Sequence, residues 1–513
     1  MNRIQQLLTA FAMAFSASAS AEEAGSFAQT IASVSTAVDG FFSDYTGWFV
    51  GLIFKSVPVG DVGFPIIVGW LLVAAAIFTV YFGFIQFRRA GMAIDIVKGK
   101  YTDPNSKDEG EVSHFQALTT ALSGTVGLGN IAGVGAALAI GGPGATFWMI
   151  LCGLLGMASK FCECTLGVKY RTVLPSGAIS GGPMYYLSQG MSELGMAGFG
   201  KVLAVGFALM CLLGSFGGGN MFQANQAHAM LTYAFDVPSE YGMITGLVLA
   251  ALVFSVIVGG MPSIASVTEK VVPWMAVLYV GMAIVVIVAN IDMVGPAFGA
   301  IFDGAFTGAG VAGGVIGALI QGLKRATFSN EAGIGSAAIA HSAVKTKEPI
   351  TEGLVSLLEP FIDTVVICTM TALVITIAGL NVAPFPGEGL TGVQLTAASF
   401  ESTSTVFKYL LALAVIMFAF STMISWSYYG LKAWTYLFGE GKSIELVFKV
   451  IFCCFVVLGA TIQFGAVIDF SDAAIFAMSI FNIAGLYFLM PIVKKELISF
   501  IARVYSGEIK RFD

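Results

Sequence analysis

Charge is scarce in this chain. Asp, Glu, Lys and Arg together make up 11% of its 513 residues, against about 25% in soluble domains. With 57% of the residues hydrophobic, too little polar surface exists to face water on every side. What remains is a bundle of membrane helices, because a helix satisfies its own backbone groups in lipid. Histidine is rarer still: His114, His228 and His341 lie far apart in sequence. None stands in metal-ligand spacing with the seven cysteines, which all fall in apolar stretches and read as structural thiols, not a zinc site or disulfide framework. There is no catalytic triad, H-E-x-x-H or paired-histidine motif, so the chain reads as no enzyme and as needing no organic cofactor. A net charge of −6 without a basic patch excludes nucleic acid as a partner and leaves membrane lipid as the surroundings. The run Gly127-Leu128-Gly129 is no dinucleotide fingerprint, since it lacks the third glycine, a preceding strand and a following acidic residue.

Glycine, by contrast, is abundant: 62 residues, well above the average of about 7%. Close helix contacts and broken helices both use it. The amino terminus has the three parts of a signal peptide over 1–21: Arg3, an apolar stretch from Leu7 to Phe15, and Ala19-Ser20-Ala21 before Glu22. An uncleaved amphipathic start is the alternative. Residues 22–63 follow as a periplasmic or interfacial segment, its apolar side carried by Phe41, Phe42, Trp48, Phe49 and Phe54 and interrupted by Asp39, Gly40 and Asp44.

Crossing about 30 Å of hydrocarbon takes about 20 apolar residues. The sequence offers eleven such stretches, near 64–86, 114–141, 144–170, 201–232, 242–260, 269–291, 310–343, 353–380, 404–436, 445–463 and 470–492. With the amino end outside, the inward connections carry Arg88, Arg89, Lys98, Lys100, Lys107, Arg171, Lys345, Lys347 and Lys442, and the tail at 493–513 adds Lys494, Lys495, Arg503, Lys510 and Arg511. The outward connections at 141–144, 233–241, 292–309, 381–403 and 464–469 contain no Lys or Arg. That asymmetry fixes the expected orientation. After the first span, 64–86, the remaining ten divide into two sets of five, 114–291 and 310–492. An odd number of crossings per set inverts one relative to the other, a recurring carrier plan.

Each set opens on an interrupted segment: SGTVGLGN at 123–130 and FSNEAGIG at 328–335. Interior glycines cost roughly 1 kcal/mol each relative to Ala, and a break in lipid frees backbone groups that need partners. A half-helix ending near Thr125 offers carbonyls to Na⁺ or an ammonium. One beginning near Asn130 offers N–H groups and a positive dipole end to a carboxylate. The second break is expected to repeat this, with carbonyls near Ala326 and Thr327. Tight small-residue packing is the alternative use of these glycines.

At these residues the sequence resembles the alanine or glycine:cation symporter family, part of the wider leucine-transporter fold group. The resemblance covers nearly the whole chain after the signal region. It is carried by SGTVGLGNIAGVG (123–135), GGPGATFW (141–148), GGGNMFQANQ (217–226) and ATFSNEAGIGSAAIAHSA (326–343), supported by LEPFIDT (358–364) and FSTMISWSYYGLKAW (420–434). Phe222, and the hydroxyl-rich Ser425–Tyr428, depart from the family pattern. The resemblance implies an all-α polytopic protein of about eleven spans, with a leucine-transporter-like 5+5 inverted repeat and one extra amino-terminal span. It also implies a bacterial inner-membrane location and sodium-coupled import of alanine, glycine or a similar small neutral amino acid. Its substrate residues would be Thr125, Gly127, Gly129, Asn130, Gln223, Phe328, Thr422 and Trp426. Its sodium ligands would be Ser123, Val126, Ser421 and Thr422, oxygen donors suited to a hard cation. Thr422 and Trp426, one turn apart, would face one cavity.

Charges deep in the spans are rare and face partners or water. Lys160 and Glu163 are spaced to pair locally, and Arg325 is expected to join Glu331, Glu359 or Asp363 in a structural network. A proton-coupled carrier, with Glu331 or Asp363 as the proton site, is the rival reading. A channel is a more distant one, since channels need a continuous polar lining.

Overall fold

The computed structural model describes residues 40, 44–102, 109–175, 177–307, 313–381 and 389–512. The expected signal peptide at 1–21, and with it Asp39, Phe41, Phe42 and Lys107, lies outside the described residues. Residues 44–53, within the stretch expected to be interfacial, form a helix with Tyr45, Trp48 and Leu52 exposed and Phe49 turned inward against Phe470, ring centroids 6.4 Å apart. A hairpin that the sequence reading did not anticipate follows: Ser56–Val59 pairs antiparallel with Val62–Pro65.

The helices succeed one another as α1 (Ile66–Tyr81), α2 (His114–Thr125), α3 (Val134–Gly141), α4 (Ala145–Lys169), α5 (Ala197–Phe216), α6 (Phe222–Phe235), α7 (Gly242–Ile257), α8 (Gly260–Ala289) and α9 (Ile291–Thr307). Then come α10 (Gly314–Asn330), α11 (Ala337–His341), α12 (Pro349–Val355), α13 (Thr369–Asn381), α14 (Gly392–Glu401), α15 (Val406–Phe438), α16 (Lys442–Thr461) and α17 (Phe464–Ser506). Among the described residues, eight helices are long and apolar enough to cross a membrane, and nine if α2 and the helix after it count as one bent span. Helices also occupy the other two expected stretches, but they fall short of that measure. Helix α1 has 16 residues, a rise of about 24 Å, and α10 has 17 and carries Lys324 and Arg325. Apolar side chains such as Trp274, Val277 and Val288 stand exposed along α8, as a lipid-facing surface requires.

Both expected breaks are present. Helix α2 starts on a capping box, in which Ser113 and Gln116 bond each other's backbone N–H. It stops at Thr125, and the chain resumes through a wide π-type turn at Gly129–Gly133 into α3, bent by 46°. Helix α10 stops where Glu331 takes a left-handed conformation, φ 56°, a costly state for a residue with a side chain. Residues 331–336 then turn into α11. The second break therefore falls later than expected. The Thr327 carbonyl is still inside the helix, accepting from Glu331 N at 2.9 Å.

The breaks lie between two closures. On one side α14, an unforeseen helix within the connection 381–403, sits across the first break: Thr396 Oγ1 donates to Ile131 O at 2.9 Å, and Val393 N to Gln226 Oε1 at 2.9 Å. On the other, Val112 pairs in parallel with Val344, Glu111 N donates to Ala343 O at 2.7 Å and Lys345 N to Val112 O at 2.8 Å. Arg171 braces this junction by donating to the carbonyls of Glu109, Ser342, Val344 and Thr346 at 2.5–2.9 Å. The starting end of α2 and the finishing end of α11 are thereby tied together.

Candidate functional site

Ending α2 at Thr125 releases carbonyls, and starting again near Leu128 releases N–H groups. Side chains from two other helices, and Asn130 from the turn itself, meet them. Thr422 Oγ1 donates to Ser123 O at 2.9 Å, and Trp426 Nε1 to Gly124 O at 3.2 Å. Gly127 N donates to Asn130 Oδ1 at 2.9 Å, and Leu128 N to Gln223 Oε1 at 3.1 Å. Four residues singled out in the sequence thus converge on one interruption, all of them buried. Gly127 is required there because a Cβ would overlap Thr422 Oγ1. At Gly129 a Cβ would press on the ring of Phe328 at 3.3 Å. Phe328 in turn meets Phe222 edge-on, centroids 5.0 Å apart, so two aromatic rings wall one side of the break.

The structure does not bring the Thr125 hydroxyl to this point. It folds back to Ala121 O at 3.2 Å, while the Thr125 carbonyl accepts from Gly127 N at 2.9 Å. Among the four expected sodium ligands, Ser123 and Thr422 are in direct contact, and Ser123 Oγ also donates to Ser421 O at 2.6 Å. The Ser421 hydroxyl donates to Phe418 O at 3.1 Å and faces Met275 Sδ at 3.4 Å, which adds the Phe418 carbonyl as an oxygen that sequence reading did not include. Val126 caps α2 and is buried.

A second cluster lies on the far side of Asn130. Its amide donates to Asp363 Oδ1 at 2.6 Å, while Ser329 Oγ and Thr364 Oγ1 each donate to Asp363 Oδ2 at 2.7 Å. Asp363 is fully buried, and among the described residues no Lys, Arg or His forms an ion pair with it. Ser329 and Thr364 were not picked out individually from the sequence. The available signal was their position beside Phe328 and Asp363 in stretches already noted. At the second break, Glu331 Oε1 accepts from Trp426 Nε1 at 3.1 Å and its other oxygen from Ser336. The two interruptions are thus bridged by one indole.

The buried charges pair differently from the expectations. Lys160 does not pair with Glu163 but with Glu359, at 3.2 Å. Glu163 instead accepts from Asn482 at 2.9 Å. Arg325 takes none of its three expected partners: it pairs with Asp472 of α17, which Lys324 also approaches at 3.3 Å. Helical spacing pointed Lys160 to Glu163 one turn away, but its side chain and that of Arg325 both reach across to other helices, where each buried charge finds its counter-ion. His114 and His341, far apart in sequence, both contact Glu352, and His341 Nε2 lies 2.5 Å from Glu359. Cys164, His341 and Glu359 place ligand atoms within 4.8 Å of one another. Both nitrogens of His341 are already taken by carboxylates, and Glu359 already holds the Lys160 ammonium.

Known proteins share the sequence family and the fold. The sodium:alanine symporter family matches over residues 53–513. The chain is 43% identical to the sodium/alanine symporter AgcS of Methanococcus maripaludis, covering 84% of this chain and 93% of that one. It is 32% identical to a probable sodium/glutamine symporter, GlnT, of Bacillus subtilis, covering 85% and 89%. Among solved structures, that of MhsT in complex with L-phenylalanine shares the fold, with a TM-score of 0.52 at 15% identity over 77% of this chain and 99% of that one. The shared architecture is the leucine-transporter-like one expected from the sequence. With a family match over nearly its whole length and bonds from two other helices converging on a broken span, the chain belongs to the sodium:alanine symporter family, multi-pass cation:amino-acid symporters and not enzymes.

Proposed function

We propose that this protein imports a small neutral amino acid, alanine or glycine, together with sodium across a bacterial inner membrane. The observation that carries the reading is the break at Val126–Leu128, whose released carbonyl and N–H groups are met one by one by Thr422, Trp426, Asn130 and Gln223. A zwitterion has the matching pair of groups. Its ammonium suits the carbonyls of Ser123 and Gly124, and its carboxylate suits the N–H groups and dipole at the start of the next half-helix. Phe328 and Phe222 limit the side chain to a small one. The names of the relatives, a sodium/alanine symporter and a probable sodium/glutamine symporter, support amino acid and sodium as the cargo.

Two oxygen sets suit the cation. One comprises the carbonyls of Ser123 and Phe418 with the hydroxyls of Ser421 and Thr422. The other is Asp363 with Asn130, Ser329 and Thr364. Coupling to protons would use Asp363 or Glu331, but Asp363 receives three donated hydrogen bonds. That is the pattern of an ionised, acceptor-only carboxylate, and it favours a metal cation. By the distribution of Lys and Arg, the amino end faces outward and the tail inward. Alternating release of the α14 closure and of the 109–112/343–345 junction would expose the site to each side in turn.

The test is uptake of radiolabelled alanine and glycine into proteoliposomes with and without an inward sodium gradient. Sodium-dependent, saturable accumulation is expected. Uptake driven equally by a proton gradient at zero sodium would transfer the reading to proton coupling, and non-saturable flux would point to a channel.

A further inference from the structure

Past α1 the chain turns at Phe84, left-handed at φ 56°, into the short helix Ile85–Arg88. The turn is anchored on α4. Thr79 Oγ1 donates to Leu155 O at 3.0 Å, Gln86 Nε2 to Leu154 O at 3.2 Å, and Phe82 packs edge-on against Phe161 at 5.2 Å. This anchoring sets Arg88 and Arg89 opposite the last turns of α17. With Lys494, Leu497, Ile498 and Tyr505 they line a cleft of about 440 Å³.

Three cations border that cleft without neutralisation. Lys494 Nζ donates to Tyr81 O at 3.2 Å and lies 4.3 Å over the Tyr81 ring. Arg88 donates to Gly83 O at 3.4 Å, and Arg89 lies 6.0 Å from the Tyr505 ring centre. Among the described residues no carboxylate is within ion-pair distance of any of them. The acidic groups nearby are engaged elsewhere, Glu496 by Lys169 at 2.6 Å and Glu348 by Arg503 at 2.5 Å. The other wall is apolar and opens outward, with Leu497, Ile498 and Ile501 along it and Ile498 and Tyr505 well exposed. A soluble anion needs the cations but no apolar wall. A phospholipid uses both, and a basic pocket between helices at the interface is the form that headgroup recognition takes.

We propose that this cleft binds one anionic phospholipid, with its phosphate held by Arg88, Arg89 and Lys494 and its acyl chains along Leu497 and Ile498. The lipid would join the end of α1 to the end of α17, both already seated on α4.

Native mass spectrometry of the detergent-solubilised full chain tests this, titrating phosphatidylglycerol, phosphatidylcholine or inorganic phosphate. One phosphatidylglycerol is expected to be retained in preference to phosphatidylcholine. Removing each charge should weaken retention roughly fivefold, and R88Q/R89Q/K494Q on the order of a hundredfold. The charge-conserving R88K/R89K/K494R should keep the preference, and K201Q, an exposed lysine elsewhere, should not change it. Equal retention of the two lipids overturns the proposal, as does unchanged phosphatidylglycerol binding in the triple Gln variant. Displacement of the lipid by millimolar inorganic phosphate also overturns it, reassigning the cleft to a free anion. If the triple variant does not survive detergent, the single variants decide: no loss in any of the three overturns the proposal.

Discussion

The indole N–H of Trp426 lies 3.1 Å from Oε1 of Glu331. The same N–H is 3.2 Å from Gly124 O, so one side chain of α15 touches the interruption of α2 and the interruption after α10 together. Glu331 is held in a left-handed conformation, strain that persists only where surrounding contacts over-determine it. The two breaks are therefore one mechanical unit.

Trp426→Phe keeps the ring and removes the donor. Two buried acceptors then lose a partner, each worth about 1–3 kcal/mol. We expect normal insertion with alanine transport efficiency down at least roughly tenfold, read as initial uptake rates per reconstituted protein. Glu331→Gln keeps an acceptor oxygen and should lose less. Equal, wild-type rates in both variants would separate the indole from the site.

Asp363→Asn tests the cation reading. The substitution preserves shape but turns one of the two acceptor oxygens into an NH2 donor, so that Asn130 or the two hydroxyls lose their acceptor, and it removes the buried negative charge. The apparent sodium affinity for uptake is expected to fall by about 10- to 100-fold, as losing a charge-assisted interaction of roughly 1.5–3 kcal/mol implies. Sodium activation curves in proteoliposomes measure it. An unchanged curve would remove Asp363 from the coupling site.

Much of this architecture was legible in the sequence, for an identifiable reason. Apolar runs, glycine clusters and the bias of Lys and Arg are local properties, and each survives reading one segment at a time. Asn130, Gln223, Thr422 and Trp426 could be found because two interrupted segments, and a resemblance across most of the chain, pointed to them. What stayed hidden depends on how helices face each other. The Lys160–Glu359 and Arg325–Asp472 pairs join distant segments, and no spacing in the sequence says which of several distant carboxylates a buried cation meets. Helix α14 was hidden because its stretch is too short and mixed to signal a span, and the left-handed Glu331 was hidden because no composition rule places a glutamate there.

Phe328 and Phe222, edge-on at 5.0 Å, should set the upper size of the cargo. Phe328→Ala opens one wall. Competition by larger neutral amino acids against labelled alanine is expected to rise by about 10- to 200-fold relative to wild type, the range a hydrophobic pocket earns from such a size change. No gain by any larger competitor would show that the rings pack the bundle and do not face the cargo.

Glu352 sits between two imidazoles, His114 from α2 and His341 from α11, and is fully buried. Glu352→Ala leaves both rings without their shared carboxylate, a loss of about 3–5 kcal/mol for a broken buried pair. A clear fall in the thermal unfolding midpoint in detergent is expected, with Glu352→Gln intermediate because its amide oxygen still accepts. A midpoint equal to wild type in the Ala variant would mean the junction draws its stability from packing alone.

Arg171 is the brace of that same end of the bundle. Its guanidinium donates to carbonyls of the segment before α2 and of the segment after α11, so it links two stretches that must part if this side is to open. Arg171→Ala removes those donors without touching the breaks themselves. The expected result is a shift toward the state open on this side. A cysteine placed at Ser342, buried in the closed form, would then label faster with a membrane-impermeant maleimide applied on this side of the bundle, counted against the same cysteine in the chain with Arg171 intact. Substrate and sodium together should slow that labelling if they favour the closed arrangement, because a ligand shifts the equilibrium only through its differential affinity for the two states. Labelling at the wild-type rate in Arg171→Ala would mean that the Val112–Val344 pairing holds the junction without its brace.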